Sequence, residues 1–404
     1  MKDIRNAVRV LNYDKDTLEN FDMVLELADE IAQWLEPYAR EINEAGLSLE
    51  NGKVKMHEKG LEALKKIKEA ELLALTVPEE YDGAELPFPM SIAVFERLAR
   101  ADAGIALPIG LSQFAIDGLI TFGTPEAKEK YLTEFAQGKR SGCMLLSEPQ
   151  SGSDLGSVKT KIIEENDHFI VNGQKIWISN AGLGNTFLLL GSMEPEKRSR
   201  GLSALIIDAN TPGVTIDRLE EKLGLHSSPT GVVSLQDAKV PKENLLGERN
   251  KGFAHVLRLL TSSRLGIAGQ AIGIAEAAYR KTLEYVKQRK QFGIVLADMP
   301  VIQSKLAEMK MGILCGRSAY LYAATLQDKK LPFSTEGAAA KAFCSETANR
   351  ICYDAIQLHG GNGYITEFDV ERYYRDVRVT TIYEGTTQVQ KLIISRNEIN
   401  GVNY

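Results

Sequence analysis

Asn172-Gly173-Gln174-Lys175-Ile176-Trp177-Ile178-Ser179-Asn180 reads as a hairpin turn followed by an alternating strand. Asn-Gly suits a tight turn, and the period of two puts Trp177 and Ser179 on the same face. Similar short alternating or apolar runs lie on both sides, at residues 169–171, 187–190, 202–207 and 231–235, separated by Asn-Gly and Pro-Gly turns. Residues 141–248 are therefore expected to form a β domain, a barrel or sandwich.

Outside that segment the period changes to that of helices. From residue 17 to about 42, apolar side chains recur at Leu18, Phe21, Leu25 and Ala28 and again at Val24, Leu27, Ile31, Trp34 and Tyr38. Further helices are expected at 61–70, 89–101 and 125–137, punctuated by Pro78 and Pro87. After Gly247 the pattern predicts four helices at 253–288, 300–327, 336–358 and 386–398, with small residues dominating 266–278. The expected architecture is α+β and multidomain: an N-terminal α-helical domain over 1–140, the β domain over 141–248 and a C-terminal four-helix bundle over 249–404.

Composition narrows the class of function. The chain has 404 residues, 44% of them hydrophobic, and 48 basic against 54 acidic residues give a net charge of −6. No basic tract follows a phosphate backbone, so nucleic acid is not an expected partner. No apolar run approaches the roughly 18 residues of a membrane span, and the first 30 residues mix Asp, Glu and Lys unlike a signal or transit peptide. A cytoplasmic protein is the expectation. Cys143, Cys315, Cys344 and Cys352 show neither CxxC nor zinc spacing, which suits free thiols in a reducing compartment. His57, His168, His226, His255 and His359 lack paired ligand spacing, so no metal site is expected. No Gly-rich dinucleotide or P-loop fingerprint is present; Gly247 to Gly252 has the glycine spacing but is followed by Phe253.

Chemistry is expected at Thr381-Ile382-Tyr383-Glu384-Gly385-Thr386-Thr387-Gln388. A carboxylate between Ile382 and Tyr383 is partly desolvated, which raises its proton affinity toward that of a base for a weakly acidic C–H. Gly385 leaves the backbone bare for a substrate carbonyl, and Thr386 and Thr387 suit a helix start whose free N–H groups attract an anion. A second segment, Leu145-Leu146-Ser147-Glu148-Pro149-Gln150-Ser151-Gly152-Ser153-Asp154, breaks from an apolar run into a loop of hydroxyls and glycine that can meet a flat polar ligand. Trp177 can cover an aromatic ring system while Ser179 bonds its edge. A strand tryptophan is, however, more often core than a cofactor lid.

Taken in order, SEPxSGSD (147–154), NGxKxWIS (172–179), RKQFG (289–293), QLHGGNGY (357–364) and IYEGTTQ (382–388) resemble the flavin-dependent acyl-CoA dehydrogenases over about residues 17 to 400. The resemblance implies FAD lying between the β domain and the C-terminal helices, and subunits that pair through those helices as tetramers. It implies that Glu384 removes the α proton of an acyl-CoA thioester while the β hydrogen leaves as hydride, and that electrons pass to an electron-transferring flavoprotein. An acyl-CoA oxidase or an enoyl-CoA reductase using the same site is the alternative. The thioester oxygen would meet the N–H of Glu384 and the flavin ribityl hydroxyl. Leu146, Ser147, Ser153, Trp177, Ser179, Thr386 and Gln388 would contact the flavin; Arg289, Phe292, Gln357, Gly360 and Gly361 would reach the dinucleotide of the neighbouring subunit. Ser153, Arg264 and Gly385 would contact substrate.

Several positions remain two-sided or depart from the family pattern. Arg264 can anchor a helix as well as meet substrate, Arg289 can be a solvated helix end, and His359 suits a turn or core. Some relatives carry the base just before the matching arginine; here Ser263 stands there and cannot serve. Thr261 replaces a frequent acidic residue, Pro300 a frequent glutamine, and Tyr81-Asp82-Gly83 a pair of glycines, while residues 47–56 form a polar insertion. Ala106 occupies the position of the carboxylate-binding arginine of glutaryl-CoA dehydrogenases, which disfavours a dicarboxyl substrate held that way. The acyl tail is expected near Leu107, Ile109, Leu111 and Phe114; its length is left open.

Overall fold

The computed structural model describes residues 2–401. Its N-terminal third consists of α1 (Lys2–Arg9), α2 (Lys15–Leu35), α3 (Ala39–Ala45), a hairpin of β1 (Leu47–Glu50) and β2 (Lys53–Met56), α4 (Glu58–Glu69), α5 (Phe88–Ala101), α6 (Ala103–Phe122) and α7 (Pro125–Ala136). In α2, Asp14 caps the first turn through Thr17 N at 2.9 Å, and Phe21, Leu25, Ala28, Ala32 and Leu35 form its buried stripe. The expected helix over 17–42 is interrupted at Pro37 by a 3₁₀ turn, Glu36–Tyr38.

The polar insertion is the β1/β2 hairpin, turned at Asn51 and Gly52, both at positive φ. Its Val54 packs against Gly182. At the second departure, Asp82 takes the left-handed conformation at φ 61°, and a Cβ on Gly83 would lie 2.0 Å from the Val77 carbonyl. Only the second position demands glycine, and Asp tolerates the first.

The β domain is a curled seven-stranded sheet of β3 (Gly142–Leu145), β4 (Lys161–Glu164), β5 (His168–Ser179), β6 (Thr186–Ser192), β7 (Leu202–Asp208), β8 (Val214–Leu219) and β9 (Thr230–Pro241). The strands run in the order β3-β6-β4-β5-β9-β8, with β7 paired to β6. One face buries Cys143, Leu145, Phe187, Leu189, Leu205 and Val233. Leu188, Leu190, Ala204 and Ile206 pack instead with Phe114 and Leu119 of α6 and with Val256 and Leu259 from the C-terminal region. Alternation along β6 and β7 thus joins the sheet to the helices.

Here the opening expectation is corrected. Asn172–Gly173 is no hairpin turn but part of the continuous β5, where the register with β9 slips between Val171 and Gly173. A Cβ on Gly173 would lie 2.4 Å from Thr160 Oγ1. Glycine is there for close backbone approach at a bulge rather than for a chain reversal.

The C-terminal region holds α8 (Gly252–Gln288), α9 (Pro300–Asp328), α10 (Ser334–His359) and α12 (Thr387–Asn400), with the short α11 (Val370–Val377) beside them. These four long helices are the expected bundle, and Pro300 begins α9, where a missing N–H costs nothing. Between α8 and α9, β10 (Lys290–Gln291) and β11 (Ile294–Val295) form a minimal hairpin around Phe292 and Gly293.

Three helices, α1, α6 and α11, stand where the sequence reading set none. α6 also corrects the expectation that no apolar run approaches membrane length: its 20 residues are long and apolar enough to cross a bilayer by composition alone. It is apolar all round, so no amphipathic period marks it. Packed against α5, α8 and β3, it is a core helix here.

Candidate active site

Glu384 follows the 3₁₀ turn Arg378–Thr381 and precedes α12, whose first turn is capped by Thr386 Oγ1 accepting from Val389 N at 3.3 Å. Its backbone is left-handed at φ 56°, and Gly385 follows at φ 87°. Two consecutive positive φ values swing the Glu384 side chain back toward α8 and α10. Ser263 Oγ of α8 donates to Glu384 Oε2 at 2.7 Å, while Oε1 has no hydrogen-bond partner among the described residues.

The cause of the carboxylate's environment differs from the sequence expectation. Ile382 is half exposed and shields little. Burial between α8 and α10 raises the Glu384 pKa, and the Ser263 hydrogen bond, Arg264 and Lys341 each pull it down. The group is thus a carboxylate of increased basicity that two cations help to keep ionised. Arg264 is only 5% exposed, its Nε has no partner, and the Glu384 charge helps hold its proton. A buried, unpaired guanidinium N–H beside a carboxylate is costly unless something else completes it.

Tyr383 O–H donates to Gln270 Oε1, and Gln270 Nε2 donates to the Ala103 carbonyl at 3.0 Å. This buried relay ties the residue before the base to α8 and to the start of α6. Ile105, Ala106, Leu107, Ile109, Leu111 and Phe114 of α6 are all buried. Thr261 Oγ1 bonds back to the Leu257 carbonyl at 3.0 Å and offers its hydrogen inside its own helix.

A second group gathers on the β domain. Ile176 N donates to the Ser147 carbonyl at 3.0 Å, which lays the loop after β3 on β5 beside Trp177. Trp177 sits at a second register slip, between Lys175 and Ile178, at φ 58°. Its ring is 62% exposed, so the core reading of Trp177 does not hold. Ser179 is half-buried two residues on, Leu146 is buried, and Ser153 is exposed farther along the loop.

Sequence reasoning missed what fixes this loop. Glu148 is buried and accepts from Thr160 N at 2.9 Å, Lys159 N at 2.7 Å and the Thr160 hydroxyl at 2.6 Å. It pairs with the fully buried Lys175 at 2.8 Å, and Lys175 also donates to the Leu146 and Leu190 carbonyls at 3.0 and 2.7 Å. Burial pushes the Lys175 pKa down to about 8 against the pull of Glu148. The available signal was an acidic residue at 148 in one motif and a basic residue at 175 in the other.

The remaining candidates occupy two recesses. Thr386 and Gln388 line one of about 370 Å³ with Asn349, Arg378 and Ile382, next to Glu384. Arg289, Gln357, Gly360 and Gly361 line another of about 640 Å³ with Tyr285 and Lys305. Asn349 and Gln357 stand eight residues apart on α10, a rise of about 12 Å, so the recesses lie along one helix. Phe292 is outside both, 95% exposed on the β10/β11 turn. His359 donates to or accepts from nothing in a reacting position: its Nδ1 lies 2.7 Å from the Ala355 carbonyl and its ring stacks on Tyr285.

These surroundings fit the flavin that the motifs imply. Trp177 offers an uncovered ring face, Thr387 Oγ1 is buried with no partner at the start of α12, and a Cβ on Gly360 or Gly361 would meet nothing within 4 Å. Together they supply a stacking surface, an unfilled hydroxyl at a helix N-terminus and bare backbone beside a guanidinium.

Known proteins share the sequence and the fold of this chain. Residues 20–139, 143–238 and 250–399 match the N-terminal, middle and C-terminal domain models of acyl-CoA dehydrogenase. The mitochondrial short-chain specific acyl-CoA dehydrogenase of Mus musculus is 40% identical over 334 residues, 82% of this chain and 81% of that one. The butyryl-CoA dehydrogenase structure from Megasphaera elsdenii superposes with a TM-score of 0.89 at 33% identity, covering 96% of this chain and 99% of the other. A chain solved in work on the electron-transferring flavoprotein of Acidaminococcus fermentans and flavin-based electron bifurcation gives 0.89 at 32% identity, covering 96% and 99%.

Proposed function

This chain belongs to the acyl-CoA dehydrogenase family of FAD-dependent oxidoreductases, and from that premise we propose that it dehydrogenates a short acyl-CoA thioester with Glu384 as base. The reading is carried by one observation: the Glu384 carboxylate is recessed, held at one oxygen by Ser263, and left free to accept a proton at the other. Proton transfer to a positioned side chain needs this combination of fixed geometry and increased basicity.

Glu384 Oε1 takes the α proton of the thioester. FAD, when bound, supplies the acceptor for the hydride leaving the β carbon, so loss of H⁺ and H⁻ leaves the trans-2-enoyl-CoA. The Glu384 N–H and Arg264, whose Nε–H has no partner, meet the negative charge that develops toward the thioester oxygen. Leu146, Ser147, Ser153, Trp177, Ser179, Thr386 and Gln388 would hold the ring end of the flavin, and Arg289, Phe292, Gln357, Gly360 and Gly361 would hold the dinucleotide of a neighbouring subunit's flavin. Ser153, Arg264 and Gly385 contact the thioester.

A short acyl chain is supported by the similarity to the short-chain specific mouse enzyme and by the Tyr383–Gln270–Ala103 relay, which crosses the space between α6 and α8 next to the base. An electron-transferring flavoprotein is the proposed oxidant of the reduced enzyme, in line with the Acidaminococcus likeness. Exposed apolar side chains at Phe292, Val301, Met311 and Leu314 support a homo-oligomer, proposed as a tetramer. Four free thiols, three of them buried, suit the proposed cytoplasmic location.

The experiment is anaerobic titration of the purified yellow protein with acyl-CoA thioesters of increasing chain length, read at the visible flavin absorbance. Bleaching strongest with short straight chains is the expected result. Absence of bleaching with every thioester overturns the dehydrogenase reading, and enoyl-CoA reduction with a low-potential donor is then the activity to assay.

A further inference from the structure

Two buried side chains grip the peptide that carries the base. Lys341 of α10 is fully buried, and its Nζ donates to the Gly385 carbonyl at 2.7 Å. Gln390 of α12 is also fully buried, and its Nε2 donates to the same carbonyl at 2.9 Å and to the Glu384 carbonyl at 3.2 Å. Both carbonyls of the Glu384–Gly385 dipeptide are therefore held from behind, by donors on two different helices.

The grip coincides with backbone strain. Glutamate at φ 56° occupies a region that side-chain-bearing residues enter at a cost, and such residues persist only where their surroundings over-determine them. A Cβ on Gly385 would lie 2.7 Å from Gln390 Nε2, so the close approach of Gln390 and the absence of a side chain at 385 are parts of one device. An ammonium in a fully buried position is expensive unless its charge is used. The charged groups facing it are Glu384 and Arg264; those facing Glu384 are Arg264 and Lys341, with the Ser263 hydroxyl bonded to it and the titratable Tyr383 adjoining.

We propose that Lys341 and Gln390 form a positioning clamp: they hold Glu384 and Gly385 in the left-handed turn that aims the base, and Lys341 adds the charge that keeps the carboxylate ionised. Lys341 touches neither substrate nor flavin in this scheme. It acts through the peptide and through the field at Glu384. The inference rests on the proposed role of Glu384. Burial depresses the Lys341 pKa to about 8, with Glu384 pulling it up and Arg264 pushing it down, so the lysine is cationic over most of the range in which a carboxylate base ionises.

The test compares Lys341→Met, Gln390→Leu and Glu384→Gln as flavin-loaded proteins, by kcat, KM and the pH dependence of kcat/KM. A misaimed base costs turnover more than binding, so Lys341→Met is expected to lower kcat about 100-fold with KM changed less than about threefold. Its acid limb is expected to move to higher pH, because a carboxylate that loses a neighbouring cation holds its proton more tightly. Gln390→Leu is expected to lower kcat with the acid limb in place, since it removes hydrogen bonds and no charge. Lys341→Met with wild-type kcat and an unmoved limb overturns the clamp while leaving the base assignment intact. Full activity in Glu384→Gln overturns the base assignment itself. If Lys341→Met gives no yellow protein, Gln390→Leu decides: undiminished kcat overturns the clamp.

Discussion

Ser263 Oγ donates a 2.7 Å hydrogen bond to Glu384 Oε2 across 121 residues of chain. The position at which some relatives are expected to carry the base is thus occupied by a donor to the base at the other position. The two sites are two ends of one hydrogen bond, and a carboxylate on either end would face the same space.

Ser263→Ala removes a donor that lowers the Glu384 pKa, so the acid limb of kcat/KM is expected to shift to higher pH. A hydrogen bond to a charged group contributes about 1.5–3 kcal/mol, which corresponds to a loss of about tenfold or more on the acid side. The plateau at high pH, where the base is ionised regardless, changes less. A pH profile superimposable on wild type contradicts the role given to Ser263.

Glu384→Gln keeps the shape of the side chain and the Ser263 partner but cannot take a proton. Turnover is expected to fall by about 10²–10⁴-fold, with the flavin-to-protein absorbance ratio unchanged. Retained turnover in stopped-flow flavin reduction refutes the assignment.

The Glu148–Lys175 pair locks the loop that carries Ser147 onto β5. Burial opposes ionisation of Glu148, but the Lys175 charge, its hydrogen bond and those from Thr160 and Lys159 outweigh it and hold the pKa low. A depressed carboxylate pKa contributes stability above the unfolded value of about 4.5 that is lost as pH falls through the folded one. Glu148→Gln strands a buried ammonium and is expected to cost about 3–5 kcal/mol at neutral pH by urea denaturation. The difference from wild type is expected to narrow as pH falls below about 4.5; a constant difference from about pH 5 to about pH 3 contradicts the linkage.

Trp177 is exposed, at positive φ, and buries little that stabilises the apoprotein. Trp177→Gly relieves a strain of about 1 kcal/mol or more, so apoprotein stability is expected to hold or rise while flavin retention on dialysis falls. Lowered apoprotein stability with normal flavin content would mean that the ring serves packing instead.

Much of the fold was legible because its elements carry their own periods. The stripe Phe21, Leu25, Ala28 in α2 and the four long C-terminal helices announce themselves by helical spacing. Two kinds of signal misled. α6 is apolar on every side, so burial erased the amphipathic pattern that identifies a helix. Asn172–Gly173 carries the composition of a turn, yet turn and bulge favour the same residues, and the choice between them was made by the β9 partner and the approach of Thr160.

The same division runs through the site. That a glutamate, a glycine and a helix start follow one another at residues 384–387 is legible in the chain alone, because a turn and a cap are local events of a few residues. Tertiary structure alone decided what that glutamate is worth: Ser263 and Arg264 come from α8 and Lys341 from α10, and they set the proton affinity of Glu384 through burial and short-range charge. Such forces act over a few ångströms in space, and separation along the chain carries no record of them.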